Sequence, residues 1–235
     1  MASESIYFKP GLKDAHEELL PQFETILKSA AQPQSWCLDI GCGCGRVAFL
    51  LASTVRWVVG IDRKPERIAE ARKRAELEGR ENVRFLVADA ESGSYVGLAP
   101  PGAFDLITAN LCLTDVIIRR AVEALFGGGR LAITCFEKSQ WQEAGLPIDH
   151  SYSESRLKAV LQAAGLEIES LEVFTRVIEF ESFEQLVIQY LPQRIVDNWR
   201  ENGRLRTIEE NFKEGHRTLT ESKIVFSALK PGRSE

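Results

Sequence analysis

A chain of 235 residues, 44% hydrophobic and 27% charged, has the length and composition of one globular domain with a substantial core. Its formal net charge of −5 argues against a dedicated nucleic-acid binder, which is ordinarily basic. The opening Met-Ala-Ser-Glu-Ser has no basic segment feeding an apolar run, and the apolar stretches are far too short for a bilayer, so neither a secretory leader nor a membrane span is expected. The five cysteines (Cys37, Cys42, Cys44, Cys112 and Cys135) are an odd number in or beside apolar segments. They read as reduced thiols in a cytoplasmic protein.

Residues 1–35 form a helical preamble. The spacing of Leu19, Phe23, Ile26 and Leu27 predicts a helix over 14–30, closed by Pro33. Before it, Ile6-Tyr7-Phe8-Lys9-Pro10-Gly11 has two readings: a strand-like segment pinned on the surface, or a flap whose Tyr7 or Phe8 closes over a ligand. From Trp36 the pattern alternates. Strands are predicted at 36–40, 56–61, 83–88, 104–109 and 130–136, with helices at 45–53, 65–78 and 115–125. Pro65 sits just inside its helix and Gly79 just past its end. Strands separated by helices of this length give βαβ units with right-handed crossovers, hence a parallel sheet covered on both faces.

Beyond Glu137 the rhythm changes: a polar loop over 138–152, a helix over 153–164, and β-like runs at 166–173 and 176–180. Helical segments at 183–190, 195–202 and 204–214 precede a last strand at 219–229. The expectation is a single α/β domain over 1–235, a doubly wound, mainly parallel seven-stranded sheet with a core at 36–136 and a helical insertion at 182–216 before the last strand.

The chemistry concentrates at 36–46, where an apolar strand runs through Gly41, Gly43 and Gly45 straight into a helix. Glycine permits positive φ and close approach to the main chain, and the helix N-terminus presents unpaired N–H groups. Gly43-x-Gly45-x-x-Ala48 formally satisfies a dinucleotide fingerprint, so an NAD(P)-dependent oxidoreductase is one reading, although no Tyr-x-x-x-Lys or similar hydride-transfer pair accompanies it. Cys42 and Cys44 have poor zinc spacing, with only His16, His150 and His216 elsewhere, and no metal is expected.

Asp39 before the glycines, Asp62 ending the second strand and Asp89 ending the third decide between ligands. Carboxylates at strand ends make an anionic mouth, wrong for pyrophosphate and right for a cation. The pattern Asp39-x-Gly41-x-Gly43-x-Gly45, with Asp62 and Asp89, resembles class I S-adenosylmethionine-dependent methyltransferases over roughly 36–136. The resemblance implies a Rossmann-like fold and a cofactor set of Asp39, Gly41, Cys42, Gly43, Asp62, Arg63, Asp89, Ala90 and Asn110. By that likeness Asp62 accepts the ribose hydroxyls, Asp89 the adenine amine, and the Ala90 N–H meets the ring nitrogen. Asn110 lies by the methionine portion, and Asp39 orients the turn and the ammonium.

The acceptor is less marked. Asn110-Leu111-Cys112-Leu113 lacks the Pro-Pro-aromatic run of adenine-N6 enzymes, and no Pro-Cys nucleophile of the cytosine-C5 type occurs. The basic residues of 65–78 alternate with Glu66, Glu70, Glu76 and Glu78, as on a solvated helix face. A small-molecule acceptor with an O, N or C nucleophile is expected, with neither nucleic acid nor membrane as partner. Trp141, Asp149, His150 and Tyr152 are acceptor-side candidates, His150 as a general base, and Phe180, Phe183, Leu186 and Tyr190 as an apolar wall. A non-catalytic S-adenosylmethionine-binding module that docks a protein is the remaining alternative.

Overall fold

The computed structural model describes the backbone of residues 4–7 and, in full, residues 19–145 and 147–232. Its strands form one eight-stranded sheet in the order β1-β7-β8-β6-β5-β2-β3-β4. These are β1 (Glu4–Tyr7), β2 (Trp36–Ile40), β3 (Trp57–Asp62), β4 (Val83–Val87), β5 (Phe104–Asn110), β6 (Leu125–Phe136), β7 (Glu167–Glu179) and β8 (Thr218–Leu229). The strands from β2 onward make up the seven-stranded α/β sheet expected, and β1 adds an eighth at the edge, parallel to β7. The side chains of Tyr7 and Phe8, on which the flap reading depends, lie outside the described residues, as does the start of the helix expected over 14–30.

The chain divides into two compact units. The larger comprises Leu20–Cys135, Glu154–Glu172 and Val225–Glu235. Within it β2 pairs in parallel with β3 and β5, β3 with β4, and β5 with β6. These strands read as near-continuous apolar runs because both faces are covered: Cys37, Leu38, Val58, Val59, Leu106, Ile107, Leu131 and Ile133 are all buried. The helices are α1 (Pro21–Ala30), α2 (Arg46–Ala52), α3 (Pro65–Leu77), α4 (Asp115–Ala124) and α5 (Glu154–Ala163). Proline occupies the first turn of α1 and α3, where its missing N–H costs nothing. Helix α1 begins at Pro21, because Leu20 is extended. Helix α4 is capped by Thr114, whose hydroxyl accepts from the Ile117 N–H. Helix α3 closes with the paired bonds Arg80 N–H to Ala75 O and Gly79 N–H to Glu76 O, a Schellman ending that needs the positive φ of Gly79.

One boundary moves appreciably. Glycines 127–129, expected as a break before a strand at 130, belong to β6, which starts at Leu125. They form a bulge: Phe104 pairs with Leu125 but Leu106 with Arg130. Gly128 N–H donates to Lys230 O and Lys230 N–H to Gly129 O, so the glycines carry real sheet bonds.

The smaller unit comprises Met1–Leu19, Phe136–Ser153 and Val173–Ile224. Glu137 N–H donates to Ser222 O; with Gly129 bonded to Lys230 at the other end, β8 runs antiparallel to β6. The two β-like runs expected at 166–180 are one strand, β7. Residues 182–216 contain a π-helix (Gln185–Tyr190), α6 (Gln193–Glu201) and α7 (Arg204–Lys213). Their inward residues Leu186, Tyr190, Val196, Trp199, Ile208 and Phe212 form one cluster with Trp141, Ile178 and Leu219.

Candidate cofactor site

The parallel register sets the ends of four strands side by side. Asp39 of β2 lies opposite Gly60 of β3 and Thr108 of β5; Asp62 of β3 lies opposite Val87 of β4. Asn110 closes β5 opposite Thr134 of β6, and Asp89 follows two residues after β4. All the residues of the expected cofactor set stand on this carboxyl edge of the larger unit, at strand ends or in the turns that leave them. The crevice outside the carboxyl ends of an open parallel sheet is where such folds take their ligands.

The turn itself is held by carboxylates through the main chain. Gly41, Gly43 and Gly45 all have positive φ, at 66°, 53° and 89°. A Cβ on Gly41 would lie 2.8 Å from Cys112 Cβ, and one on Gly45 would strike Phe49 and Phe85 at 2.8 Å. Glycine is therefore required at both for two independent reasons, backbone and space. Asp39 Oδ2 accepts from the Ala48 N–H at 3.0 Å, in the first turn of α2. Gly45, the residue at the cap, has no side chain to do this, so Asp39 caps the helix from the preceding strand. Asp62 Oδ2 accepts from the Gly43 N–H and its Oδ1 from the Lys64 N–H, both at 2.9 Å. One carboxylate thus orders the helix start and the other the middle of the loop.

Both are buried, Asp39 at 1% and Asp62 at 8% exposure. Burial pushes the Asp39 carboxyl up to about 8; the Ala48 N–H opposes the shift and the charge of Asp62 adds to it. The same burial, with Asp62 and Asp39 next in effect, raises the Cys112 thiol to about 11, leaving it a thiol rather than a nucleophile at neutral pH. A carboxyl that binds its proton this firmly lacks a cation beside it.

The rest of the edge is more open. Asp89 is exposed and turns its Oδ1 back to the Glu91 N–H at 2.7 Å; Ala90 and Asn110 are half-buried, and Arg63 is exposed. The Ala90 segment is pinned from below by Tyr95, whose buried hydroxyl donates to Ala90 O at 2.6 Å. Leu111 takes a left-handed φ of 58° while its N–H donates to Thr134 O. The sequence reading passes over Tyr95, and takes Cys112 only as one of five reduced thiols, because neither stands in a local pattern. An unpatterned tyrosine inside a Gly/Pro-rich loop was the available signal.

A sulfonium and an ammonium, with no phosphate, fit this edge. Their charge offsets the buried Asp39 and Asp62, and the turn at 41–45 leaves no Cβ in the way. A pyrophosphate does not fit. The Ala48 N–H in the first turn of α2 is already taken by Asp39 and the Gly43 N–H by Asp62, so main-chain donors a pyrophosphate would use are spent on carboxyl groups. The dinucleotide reading fails on this point. All five cysteines are free, and among the described residues no cluster of His, Cys, Asp and Glu could hold a metal ion.

The acceptor-side candidates all fall in the smaller unit, and the structure separates them by burial. Asp149 and His150 are exposed on a turn, with His150 at φ 63°. Trp141 and Tyr152 are buried. Trp141 packs edge-on against Trp199 at 5.2 Å, and Tyr152 extends a bridge to Glu137. Phe180, Leu186 and Tyr190 are core, as helical packing alone would make them.

Comparison with known proteins agrees with this geometry. Residues 32–214 match the family described as "Methyltransferase domain". Aklanonic acid methyltransferase DauC of Streptomyces sp. (strain C5) is 38% identical over 105 residues, 41% of this chain and 46% of that protein. The protein-L-isoaspartate O-methyltransferase of Fervidobacterium nodosum is 34% identical over 99 residues, 41% of this chain and 47% of that one. The match thus spans under half the length of each of these two curated relatives. Among solved structures, YcgJ from Bacillus subtilis superposes with a TM-score of 0.66 over 89% of this chain and 97% of its own, at 18% identity, a likeness of fold alone.

Proposed function

This chain belongs to the methyltransferase domain family, as a class I S-adenosylmethionine-dependent methyltransferase, and on that premise we propose that its acceptor is a small molecule with an oxygen, nitrogen or carbon nucleophile. The observation that carries the proposal is how α3, the most basic helix, spends its charge. Arg72 donates to Phe85 O from both Nε and Nη2, at 2.9 and 2.6 Å. Arg74 is paired with Glu78 at 2.7 Å and lies 4.2 Å from the Phe49 ring centroid. Two of the helix's four cations, Arg72 and Arg74, thus pack and pair rather than line up for phosphates. The net charge of −5 supports the same choice, as does a relative named as a methyltransferase of aklanonic acid.

S-adenosylmethionine, when bound, supplies a methyl group on a sulfonium, open to in-line displacement. The chain's part is to bind, orient and exclude water, and orientation alone is worth about 7–11 kcal/mol. Asp62 is assigned to the ribose hydroxyls, with Arg63 beside it; Asp89 and the Ala90 N–H are assigned to adenine. Gly41, Cys42 and Gly43 supply main chain free of bulk, while Asn110 and Asp39 take the methionine end. His150 is the candidate proton acceptor, needed only where the acceptor must lose a proton. His150→Ala is then expected to slow turnover on a phenol or carbon acid and to leave a neutral amine unaffected. Equal rates on both would remove His150 from the mechanism.

The same reading takes 1–235 as one methyltransferase domain, with the insertion at 182–216 serving acceptor specificity. No helix among the described residues is long and apolar enough to cross a membrane, and the free thiols support a reducing, cytoplasmic setting. The test is a methylation screen with labelled S-adenosylmethionine against metabolite extract, RNA and unfolded protein, analysed separately. Label is expected in the small-molecule fraction; label confined to RNA or protein would overturn the reading.

A further inference from the structure

The connection between β4 and β5, residues 88–103, contains neither helix nor strand. A structureless stretch of that length inside a compact unit is ordinarily a functional loop. It opens with Asp89 and Ala90, the residues assigned to adenine, and lies wholly within the larger unit. Its first turn closes on Asp89. The Ser92 and Gly93 N–H groups donate to Asp89 O at 3.3 and 3.4 Å, and the Glu91 N–H donates to Asp89 Oδ1 at 2.7 Å. The peptide that follows is trans, so the Ala90 N–H points opposite to Asp89 O and out of the turn. The bonds on Asp89 O thereby set the direction of the N–H assigned to the adenine ring.

Three side chains from beyond that turn grip it. Tyr95, 2% exposed, donates its hydroxyl to Ala90 O at 2.6 Å. Burial pushes this phenol above its usual range, so it remains a donor at neutral pH. Arg120 of α4 donates from its guanidinium to Gly93 O, the carbonyl of a residue whose N–H rests on Asp89. Thr114 donates its hydroxyl to Glu91 Oε1 at 2.7 Å, while the same oxygen caps α4 by accepting the Ile117 N–H at 3.3 Å. A charged acceptor makes the bond to Glu91 stronger than a neutral one would be. The turn leaving β4 and the helix following β5 are thus joined, although β2 and β3 separate those strands in the sheet.

We propose that Tyr95, Thr114 and Arg120 are positioning residues for recognition of the adenine base, acting through the turn at 89–93. This rests on the assignment of Asp89 and Ala90 to adenine and deepens it. Their part is indirect: they hold the Asp89 carboxylate and the Ala90 N–H in one register. The base is read by two hydrogen bonds made together, amine to carboxylate and N–H to ring nitrogen, and such a pair tolerates little change in spacing. A loosened turn still offers both groups, but no longer at the separation that adenine needs. The distinction lost first is between adenine and hypoxanthine, which carries an oxygen in place of the amine and a proton on the neighbouring ring nitrogen.

The test uses the full chain and two probes of equal charge, S-adenosylhomocysteine and S-inosylhomocysteine, with both affinities measured by calorimetry. The wild-type protein is expected to prefer the adenosyl form by about a hundredfold, because the inosyl form sets oxygen against carboxylate and N–H against N–H. Tyr95→Phe removes one hydroxyl and keeps the ring, and Thr114→Asp keeps a helix cap but repels Glu91. Each should reduce the preference about tenfold, mainly by weakening the adenosyl form, whereas Thr114→Ser should retain it. Melting curves check the fold of each variant, and either Tyr95→Phe or Thr114→Asp alone decides the matter. A loss shared equally by both probes, with the ratio as in wild type, would mean a structural role only and overturn the proposal. So would a ratio in Thr114→Ser as low as that in Thr114→Asp. Asp89→Ala separates the two readings. If it keeps the wild-type preference, or if the wild type has none, the adenine assignment falls and the positioning role with it. If it abolishes a preference that Tyr95→Phe and Thr114→Asp leave intact, the positioning role alone falls.

Discussion

The two charged regions of this molecule solve the burial of a carboxylate in opposite ways. On the carboxyl edge of β2 and β3, Asp39 and Asp62 are held by main-chain N–H groups of Ala48, Gly43 and Lys64. In the layer beneath the π-helix, Glu221 is held by the side chains of Tyr190 and Arg176. Main-chain donors carry no net charge, so nothing in the first region offsets a carboxylate, and burial keeps the proton on Asp39. Side-chain donors bring their own charge, and in the second region Arg176 offsets Glu221 directly. The chain thus buries its carboxyl groups with two different classes of hydrogen-bond donor.

Four substitutions or titrations sharpen or break that contrast. The largest expected effect is Glu221→Ala, which takes the carboxylate from the half-exposed Arg176 and from the buried Tyr190 hydroxyl and should cost about 3 kcal/mol in chemical denaturation. A cost under about 1 kcal/mol would mean that the layer is not electrostatically closed. Next comes pH. The folded Asp39 carboxyl, at about 8, lies above its ordinary value near 3.8. The folded state therefore holds a proton that the unfolded state releases between those limits. Its contribution to stability is fully present below about pH 4 and lost as pH rises through 8, and Asp39→Asn should flatten that decline in melting temperature. Saturating S-adenosylmethionine should flatten it too, because a cation favours the ionised form.

Asp62→Ala follows. It removes a charged acceptor and frees the Gly43 N–H, and should weaken S-adenosylmethionine by about a hundredfold in calorimetry. Preferential binding of NADH would contradict the electrostatic account of this edge altogether. Smallest is Gly41→Ala, expected to destabilise by about 1–3 kcal/mol through its φ of 66° and the contact with Cys112. Cys112→Gly on the same background should restore part of it. No restoration would place the whole cost in the backbone.

The same contrast explains what could be read from the residues in advance. The donor edge depends on partners close in the chain: Asp39 to Ala48 spans nine residues and Asp62 to Gly43 nineteen, within a single βαβ unit. Such contacts leave a local pattern of acids and glycines. Strand and helix positions from 36 to 124 were legible for a related reason, since proline starts, glycine stops and apolar runs are local signals. The layer at β8 leaves none. Glu221 reaches Tyr190 across 31 residues and Arg176 across 45, and Gln140 reaches Ser222 across 82. Glu221 and Lys223 also look like ordinary surface charge in sequence, and only the fold reveals that they are buried. The glycines at 127–129 misled in the other direction, because a bulge inside a strand and a break before one use the same residue.

The π-helix at Gln185–Tyr190 gives the smaller unit a dependence on length rather than on composition. A π-turn arises where a helix carries one residue more than its α-helical span would take. Each residue of an α-helix advances the azimuth by about 100°, so deleting one residue between 186 and 189 would rewind the turn and swing the final tyrosine away from the carboxylate it now meets. Swapping apolar side chains there while keeping the count should leave that alignment intact. The geometry around Glu221 is in this sense counted out along the chain, and an insertion or deletion in that short run would retune it more abruptly than substitutions could.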